Sequence, residues 1–510
     1  MKNVQVVWFK RDLRVEDHEP LIEALKHGPV IPLYIIEPDL WAQPDLSSRH
    51  YDFITECLHD LNERLKKLGQ PLIIRVGEAV DVLNELQSQT QFETLWSHQE
   101  TWNGWTYERD LAVKRWAQDK GIAWYEPSQF GVIRRIQNRN GWAARWTKKM
   151  NGDILPPPAR LEPIDIKSQN IPTKEKLNIT PDPCPQRQTG TREQALKDLN
   201  AFLYERGEGY QKEMSSPVTA FTSCSRLSAH LSFGTISMRE VYQIAAIRTR
   251  EIANLPRSET GKWPGAMRAF NGRLRWHCHF IQKLEDDPRF EFENMHSAYD
   301  GLREPDFDDA KFEAWKAGMT GYPLIDASMR ALNATGWLNF RMRAMLVSFA
   351  SYHLWLHWRK PSLHLAGYFM DYEPGIHYCQ HQMQSGTTGI NAIRIYNPLK
   401  QGMDQDPDGV FIKQWIPELR DVPSDFIHKV EHLHDLAPDY PKMIVHEKEA
   451  RKAAADKIYG IRKSKTHREE ADEIVDKHGS RKSGMDQGFR KRNGKGVITL
   501  REAKQGELPL

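Results

Sequence analysis

The sequence predicts an α/β domain followed by an all-α domain: an N-terminal doubly wound parallel sheet, a long linker and a helical C-terminal domain. Three observations predict this. Short, almost continuously apolar runs alternate with helical spacing over the first 130 residues. Proline-rich sequence without periodicity follows, with "LPPPARLEP" and "IPTKEKLNITPDPCP" between residues 153 and 190. From about 193 to 445 the apolar residues recur at helical spacing and strand signals are few. The boundaries are therefore 1–130 for the α/β domain, 131–192 for the linker, 193–445 for the helical domain and 446–510 for a charged C-terminal extension.

Taken in order, "VQVVWF" (4–9) is a buried-strand run, and helical spacing carries Leu21 and Leu25. "VIPLYII" (30–36) is the second strand, with a helix from about Arg49 to Leu68. "PLIIRV" (71–76), a helix through Val80 and Leu83, "FETLWS" (92–97), a helix near 106–119 and "IAWYEP" (122–127) complete five β-α steps. Strands this apolar are buried on both faces, which is the signature of a parallel sheet. No G-x-G-x-x-G follows the first strand, so the usual dinucleotide cradle is not expected in this domain. In the helical domain, "TREQALKDLNAFLYERG" and "SMREVYQIAAIRTREIA" each read as one helix, and 314–358 must hold at least two long ones. The last 65 residues are charge-rich, and "SRKSGMDQGFRKRNGKG" reads as a solvated extension.

Composition sets limits. At 510 residues with 39% hydrophobic content, the chain can bury more than one core. The net charge of +3 is nearly balanced, so any nucleic-acid surface must be local. The five cysteines are scattered without a C-x-x-C pair, which fits free thiols in a reducing cytoplasm and argues against a four-cysteine metal site. No run of about 20 apolar residues is present, so no membrane span is expected.

Four stretches carry residues suited to chemistry. In "TSCSRLSAHLSFG" (222–234), hydroxyls and Arg226 precede a helical pattern, an arrangement that suits a phosphate or serves as plain capping. In "FNGRLRWHCHFIQKLEDDP" (270–288), Trp276 lies among Arg273, Arg275, His277 and His279, an aromatic platform rimmed by cations. In "GWLNFRMRAM" (336–345), Arg341 and Arg343 sit in an apolar helix and need carboxylate partners, for which Asp371 and Glu373 are candidates. In "DYEPGIHYCQHQMQSGTTG" (371–389), His377, Cys379 and His381 would share one face of a strand. That spacing permits a metal hypothesis, but no fourth ligand is evident and no metal is predicted.

Together these blocks resemble the cryptochrome/photolyase family of blue-light flavoproteins, over roughly residues 3–450, as a divergent bacterial-type member. "VVWFKRDLRVEDHEPL" is similar to the family's N-terminal signature. "TSCSRLSAHLSFGTIS", "TGYPLIDASMRALNATGW" and "IRIYNPLKQGMDQDPDGVFIKQWIPELRDVP" are similar to its flavin-domain blocks. The resemblance implies an antenna-type α/β domain and a helical FAD domain. It implies that Tyr210 and the segment Thr222, Ser223, Ser225, Arg226, Leu227 and Ser228 hold the FAD phosphates. Arg343 and Asp371 would pair beside the isoalloxazine, with Glu373 and His377 close to the ring. Trp276 would stand at the mouth of a cavity admitting a flipped pyrimidine dimer, with Arg273 and Arg341 facing the DNA. A second, antenna chromophore (a folate, a deazaflavin or a lumazine) is open, with Glu108 a polar contact by position.

The chain also departs from the family pattern. Arg273 stands where dimer-splitting enzymes carry a glutamate, His377 where an asparagine usually faces flavin N5, and Phe340 before the first arginine of the N-R-x-R motif. Of three electron-relay tryptophans only the middle one is matched, by Trp358; His381 takes the flavin-proximal position and the outer one falls near Pro305. Histidine is not oxidised as tryptophan is, so the standard relay is predicted to be broken, with Trp337, Trp355, Tyr372 or Tyr378 as other routes. The expected activity is that of a deoxyribodipyrimidine photo-lyase-like enzyme repairing UV-induced pyrimidine dimers by electron transfer from reduced FAD. The alternative is a cryptochrome-type photoreceptor without repair. UV-damaged DNA is the expected partner, a protein partner is envisaged through the C-terminal tail, and the protein is expected to be a cytoplasmic monomer.

Overall fold

The structure, a computed structural model, describes residues 3–479. Five strands, β1 (Gln5–Phe9), β2 (Val30–Ile36), β3 (Ile73–Val76), β4 (Thr94–Trp96) and β5 (Ala123–Tyr125), form one parallel sheet in the order β3-β2-β1-β4-β5. β1 pairs with β2 from Gln5 opposite Val30 and with β4 from Gln5 opposite Thr94. Both neighbours of β1 reach it by crossovers, so the strand order switches there. The helices Glu19–Leu25, Ser48–Leu68, Ala79–Thr90 and Gly104–Asp119 cover the faces, and for that reason β1 and β2 are buried along their whole length.

The proline-rich chain after residue 152 runs extended along the open edge of β3. Ile74 N–H donates to Ser168 Oγ (2.9 Å), Gln169 N–H to the Ile74 carbonyl (3.0 Å) and Val76 N–H to Gln169 Oε1 (2.7 Å). An exposed strand edge is thereby satisfied without a sixth strand. Before it, Trp142–Met150 is helical, with Trp142 and Trp146 buried against the helical domain.

The loop after β1 joins the two halves. Arg11 donates to Ser232 Oγ (2.5 Å) and the Tyr372 carbonyl (3.4 Å), and Arg14 to the Gly234 carbonyl (3.1 Å). Gly234 closes its helix at φ 72°, and a side chain there would strike the Arg11 carbonyl. Within the helical domain, the helices Trp263–Asp286 and Pro374–Ser385 cross at Gly375, where a Cβ would lie 2.5 Å from Ile281 Cα. Backbone cannot move aside as a side chain can. Gly375→Ala is therefore expected to cost about 1–3 kcal/mol of stability, read as a lowered urea midpoint at unchanged m-value.

The C-terminal extension departs from the expected solvated tail. Glu447–Ile461 and Lys465–His478 are helices seated on the body. Ala454, Ile458, His467, Ile474 and His478 recur at helical spacing and are buried, although their surroundings in sequence are charged. His467 Nε2 meets Tyr299 Oη at 3.0 Å, and its ring stacks 4.1 Å from that of His296. The basic run "SRKSGMDQGFRKRNGKG" lies outside the described residues. Among those described, no helix is long and apolar enough to cross a membrane.

Candidate functional site

A cavity of about 290 Å³ opens in the helical domain. Its walls come from the helices Trp263–Asp286, Phe340–Ser348 and Pro374–Ser385, and from the loop between the helices Pro217–Ser223 and Ser228–Phe233. Asp371 and Glu373 enter from the turn before Pro374. Proline at the first helical position loses no hydrogen bond, so it fixes this turn where two carboxylates are presented.

The predicted partner of Arg343 is present. Arg343 Nη1 and Nη2 donate to Asp371 Oδ1 (3.0 Å) and Oδ2 (2.8 Å), while Nε donates to the Leu338 carbonyl (2.8 Å). Burial opposes the Asp371 charge, but the Arg343 guanidinium and hydrogen bonds outweigh it, and the carboxyl lies below its usual range. Glu373 behaves oppositely. Burial pushes it up to about 7, Arg11 offsets only part of that, and Oε1 has no partner among the described residues.

The expectation that His377, Cys379 and His381 lie on a strand is corrected. They belong to the helix Pro374–Ser385, bounded by Pro374 and by Gly386 at φ 79°. A period of 3.6 places His377 and His381 on one face, with ring centroids 4.0 Å apart, and turns Cys379 away to the Phe280 carbonyl. The three do not converge on a metal. His377 Nε2 donates to the Ser362 carbonyl (2.8 Å) and His381 Nδ1 to the His377 carbonyl (2.8 Å), so each ring keeps one lone-pair nitrogen. Burial holds both neutral, His377 far below its ordinary value and His381 down at about 4.

Tyr210, Ser225, Arg226 and Ser228 line the cavity. Arg226 adopts φ 62°, a left-handed conformation uncommon for a non-glycine residue, and its guanidinium lies 4.0 Å over the Trp337 ring. The helix Ser228–Phe233 starts from Leu227, which offers no capping side chain. Thr222 and Ser223 do not line the cavity. Their hydroxyls donate to the Thr219 carbonyl inside their own helix, at 2.9 Å each, and Leu227 is in the core.

On the far wall Arg273 lies 5.8 Å over the Phe340 ring. Arg341 makes only long contacts, to Gln401 Oε1 (3.4 Å) and Ser215 Oγ (3.5 Å). Neither arginine has a carboxylate partner among the described residues. Trp276 is not among the residues lining the cavity. Its ring is half-buried, stacked on Phe280 at 5.5 Å, one turn from Arg273 of the cavity wall.

Trp358 is fully buried and donates to Asn294 Oδ1 (2.8 Å). Its aromatic contacts run to the cavity through Tyr378 (6.3 Å) and then His377 (5.4 Å), not directly to His381. Trp337 and Tyr372 line the cavity; Trp355 lies elsewhere, between Arg303 (4.7 Å) and Lys457 (4.4 Å). Sequence reasoning missed Asp45 and Trp102 of the α/β domain, which meet Tyr372 behind the cavity, and Asn103, which donates to Asp45. It also missed Gln382, which binds the Phe290 and Glu293 carbonyls (2.9 and 2.8 Å) and the Met295 N–H (2.5 Å). No local spacing announces partners some 90 to 330 residues away.

These residues fit FAD. An uncapped helix start beside serine hydroxyls and Arg226 suits a pyrophosphate. The Arg343–Asp371 pair, together with the unpartnered Glu373 Oε1, His381 Nε2 and Asn339 Oδ1, offers directed donors and acceptors for a polar ring edge. At the C-terminal end of the sheet the crevice measures only about 30 Å³ and is closed by Arg109, paired with Glu37 (2.8 Å), Asp110 (2.8 Å) and Glu100. Glu108, expected to face an antenna chromophore, is exposed and lines neither that crevice nor the cleft of about 660 Å³ between the domains.

Comparison with known proteins agrees with this geometry. The sequence pattern of the FAD binding domain of DNA photolyase matches residues 270–459, and that of DNA photolyase matches residues 5–134. Cryptochrome-2 of Arabidopsis thaliana is 31% identical, over 84% of this chain and 72% of that protein. The deoxyribodipyrimidine photo-lyase of Halobacterium salinarum is 29% identical, over 88% of this chain and 98% of that protein. The crystal structure of a bacterial class III photolyase from Agrobacterium tumefaciens superposes with a TM-score of 0.77 at 26% identity, covering 91% of this chain and 98% of that one. The chain is thus an FAD flavoprotein belonging to the cryptochrome/photolyase family.

Proposed function

We propose that the protein is a blue-light-driven repair enzyme for pyrimidine dimers in DNA. The observation that carries this is the cavity wall formed by Arg273, Phe340 and Arg341, two cations without carboxylate partners flanking an aromatic ring. Unneutralised guanidinium groups in a partly buried wall call for an anionic ligand, and an aromatic face between them suits an extruded base. When bound and reduced, FAD supplies under blue light the electron that splits the dimer and takes it back afterwards. The chain's own residues do the rest. Tyr210, Ser225, Arg226 and Ser228 hold the phosphates, and Arg343–Asp371 fixes the polar ring edge. Glu373, poised near neutrality, holds or releases a proton beside it. Arg273 stands where the family's dimer-splitting enzymes carry a carboxylic acid, and it stabilises the dimer anion by charge rather than by proton donation. A second chromophore finds room in the cleft between the domains rather than at the sheet end.

A second reading, a photoreceptor without repair, is favoured by one observation. The C-terminal helix Lys465–His478 sits on the segment 287–299, which Gln382 ties to the cavity helix, so a change at His377 or His381 has a short path to that helix.

The deciding experiment reduces the flavin-loaded protein, adds an oligonucleotide containing a cyclobutane dimer and illuminates it with blue light. Restored bases are expected; clear binding without restoration transfers the assignment to the photoreceptor. In the same system Arg273→Ala is expected to weaken DNA binding and to lower the slope of log K against log salt by about 1.

A further inference from the structure

We infer that Tyr372, with Asp45 as its proton acceptor, is the residue that delivers the electron when the flavin is reduced by light. The inference rests on the cavity holding flavin. Tyr372 lines that cavity, and its ring centroid lies 5.2 Å from that of His377. Its hydroxyl, fully buried, donates to Asp45 Oδ2 at 2.7 Å. Asp45 comes from the α/β domain, is buried, and is in no ion pair among the described residues. Its Oδ2 also accepts from Asn103 Nδ2 (3.1 Å), and its Oδ1 has no partner among the described residues. A carboxylate is therefore held against the phenol with acceptor capacity to spare.

That arrangement matters because an oxidised phenol is a very strong acid, and a buried one stays oxidised only if its proton has somewhere to go. Trp102, Tyr378, Trp337 and Trp358 lack such a base among the described residues. Trp102, 5.6 Å from Tyr372, has the Arg11 guanidinium 4.1 Å over its ring and no acceptor for its Nε1–H. Tyr378 accepts hydrogen bonds from Arg359 (3.3 Å) and from the Tyr372 hydroxyl (3.0 Å), has that cation 5.1 Å from its ring, and has no carboxylate hydrogen-bond partner among the described residues. Trp337 lies under Arg226 at 4.0 Å. Trp358 donates to an amide oxygen, which is not a base. A cation beside an aromatic ring opposes the positive charge that oxidation creates, so Trp102, Tyr378 and Trp337 are disfavoured where Tyr372 is assisted.

The step balances. The O–H bond of Tyr372 breaks, one electron passes to the light-excited oxidised flavin, and the proton goes to Asp45, leaving a neutral phenoxyl and a neutral carboxylic acid. Tyr372 is oxidised by one electron and the flavin is reduced by one. A thiolate in solution gives up one electron, becoming a thiyl radical, and Asp45 returns the proton, restoring the phenol and the carboxylate. Tyr372 meets the cofactor cavity; Asp45 acts through it as a positioning residue.

The test uses the full chain loaded with FAD, illuminated in the blue with a thiol present, and followed by transient absorption and electron paramagnetic resonance. The wild-type protein is expected to give a neutral tyrosyl radical that forms more slowly in D₂O than in H₂O. Tyr372→Phe, at unchanged flavin occupancy, is expected to remove that signal, and Asp45→Asn to slow its formation about 100-fold. An unchanged signal in Tyr372→Phe, the absence of any solvent isotope effect in the wild type, or a tryptophan radical that disappears in Trp358→Phe alone overturns the assignment. Dimer repair is read in parallel on wild-type protein reduced chemically, which bypasses Tyr372. Failure of repair with an intact tyrosyl signal rejects the repair function and leaves the electron donor assigned; a chain that retains no flavin rejects both.

Discussion

Arg343→Ala is expected to yield a protein that folds less stably and no longer retains flavin through purification. The side chain of Asp371 is only 6% exposed, and Arg343 supplies two charge-bearing hydrogen bonds to it, beside a further one from Ser228. Removing one member of a buried pair leaves the other charged and unsolvated, which typically costs about 3–5 kcal/mol. Arg343 is 25% exposed, so solvent relieves part of this and the lower end applies. The measurements are the flavin-to-protein absorbance ratio and the thermal midpoint of the flavin-free form. The double variant Arg343→Met/Asp371→Leu separates the two effects. It is expected to recover stability, since no charge is left stranded, yet still to bind no flavin. Flavin retained by the double variant would show that the pair is structural only.

Acid is expected to unfold the protein steeply below about pH 6.5. His50, His230, His277, His353 and His381 are each pulled down by burial to about 4, and His364 to about 3. Between the unfolded value of about 6.5 and the folded value, the unfolded chain binds more protons, so stability is lost as pH falls through that window. Each tenfold loss of proton affinity on folding is worth about 1.4 kcal/mol, so two such groups oppose folding by nearly as much as the whole stability of an ordinary domain. Glu37, Glu291 and Glu373, raised by burial to about 7, act in the other direction, since they lose stability as pH rises from the unfolded value. The histidines outnumber them, and the net slope from pH 4.5 to 6.5 is upward. Thermal midpoints measured across that range check the claim. His353 gives a single-site test: its ring stacks on Phe349 at 5.0 Å, neither ring nitrogen has a hydrogen-bond partner among the described residues, and Nε2 lies 3.8 Å from Glu447 Oε1. His353→Phe is expected to flatten the acid limb by one proton's share; parallel curves would remove His353 from the account.

The α/β half was legible because burial on both faces leaves its mark on consecutive residues. Val6, Val7 and Trp8 are all inside, so the run itself announces a central parallel strand. The Arg343–Asp371 pair was legible for a similar reason, since a guanidinium in an apolar helix requires a carboxylate. The cavity helix was misread although its signals were present: Pro374 just inside the start and Gly386 just past the end mark a helix, whereas spacing His377, Cys379 and His381 by two suggested a strand. The C-terminal helices were hidden by composition. Their buried face is made of alanine, isoleucine and two histidines spread over some 25 residues, so average polarity outweighed periodicity.

By itself the sequence determined the two kinds of domain, the family blocks and the charges that line the cavity, because hydrophobic period and buried charge leave local traces. Only the tertiary structure decided which hydroxyls turn into the cavity and which donate back into their own helix. Only it set Asp45 against Tyr372, 2.7 Å apart across 327 residues. A hydrogen bond between distant segments depends on how two domains dock, and that geometry is a property of the packed chain rather than of any stretch within it.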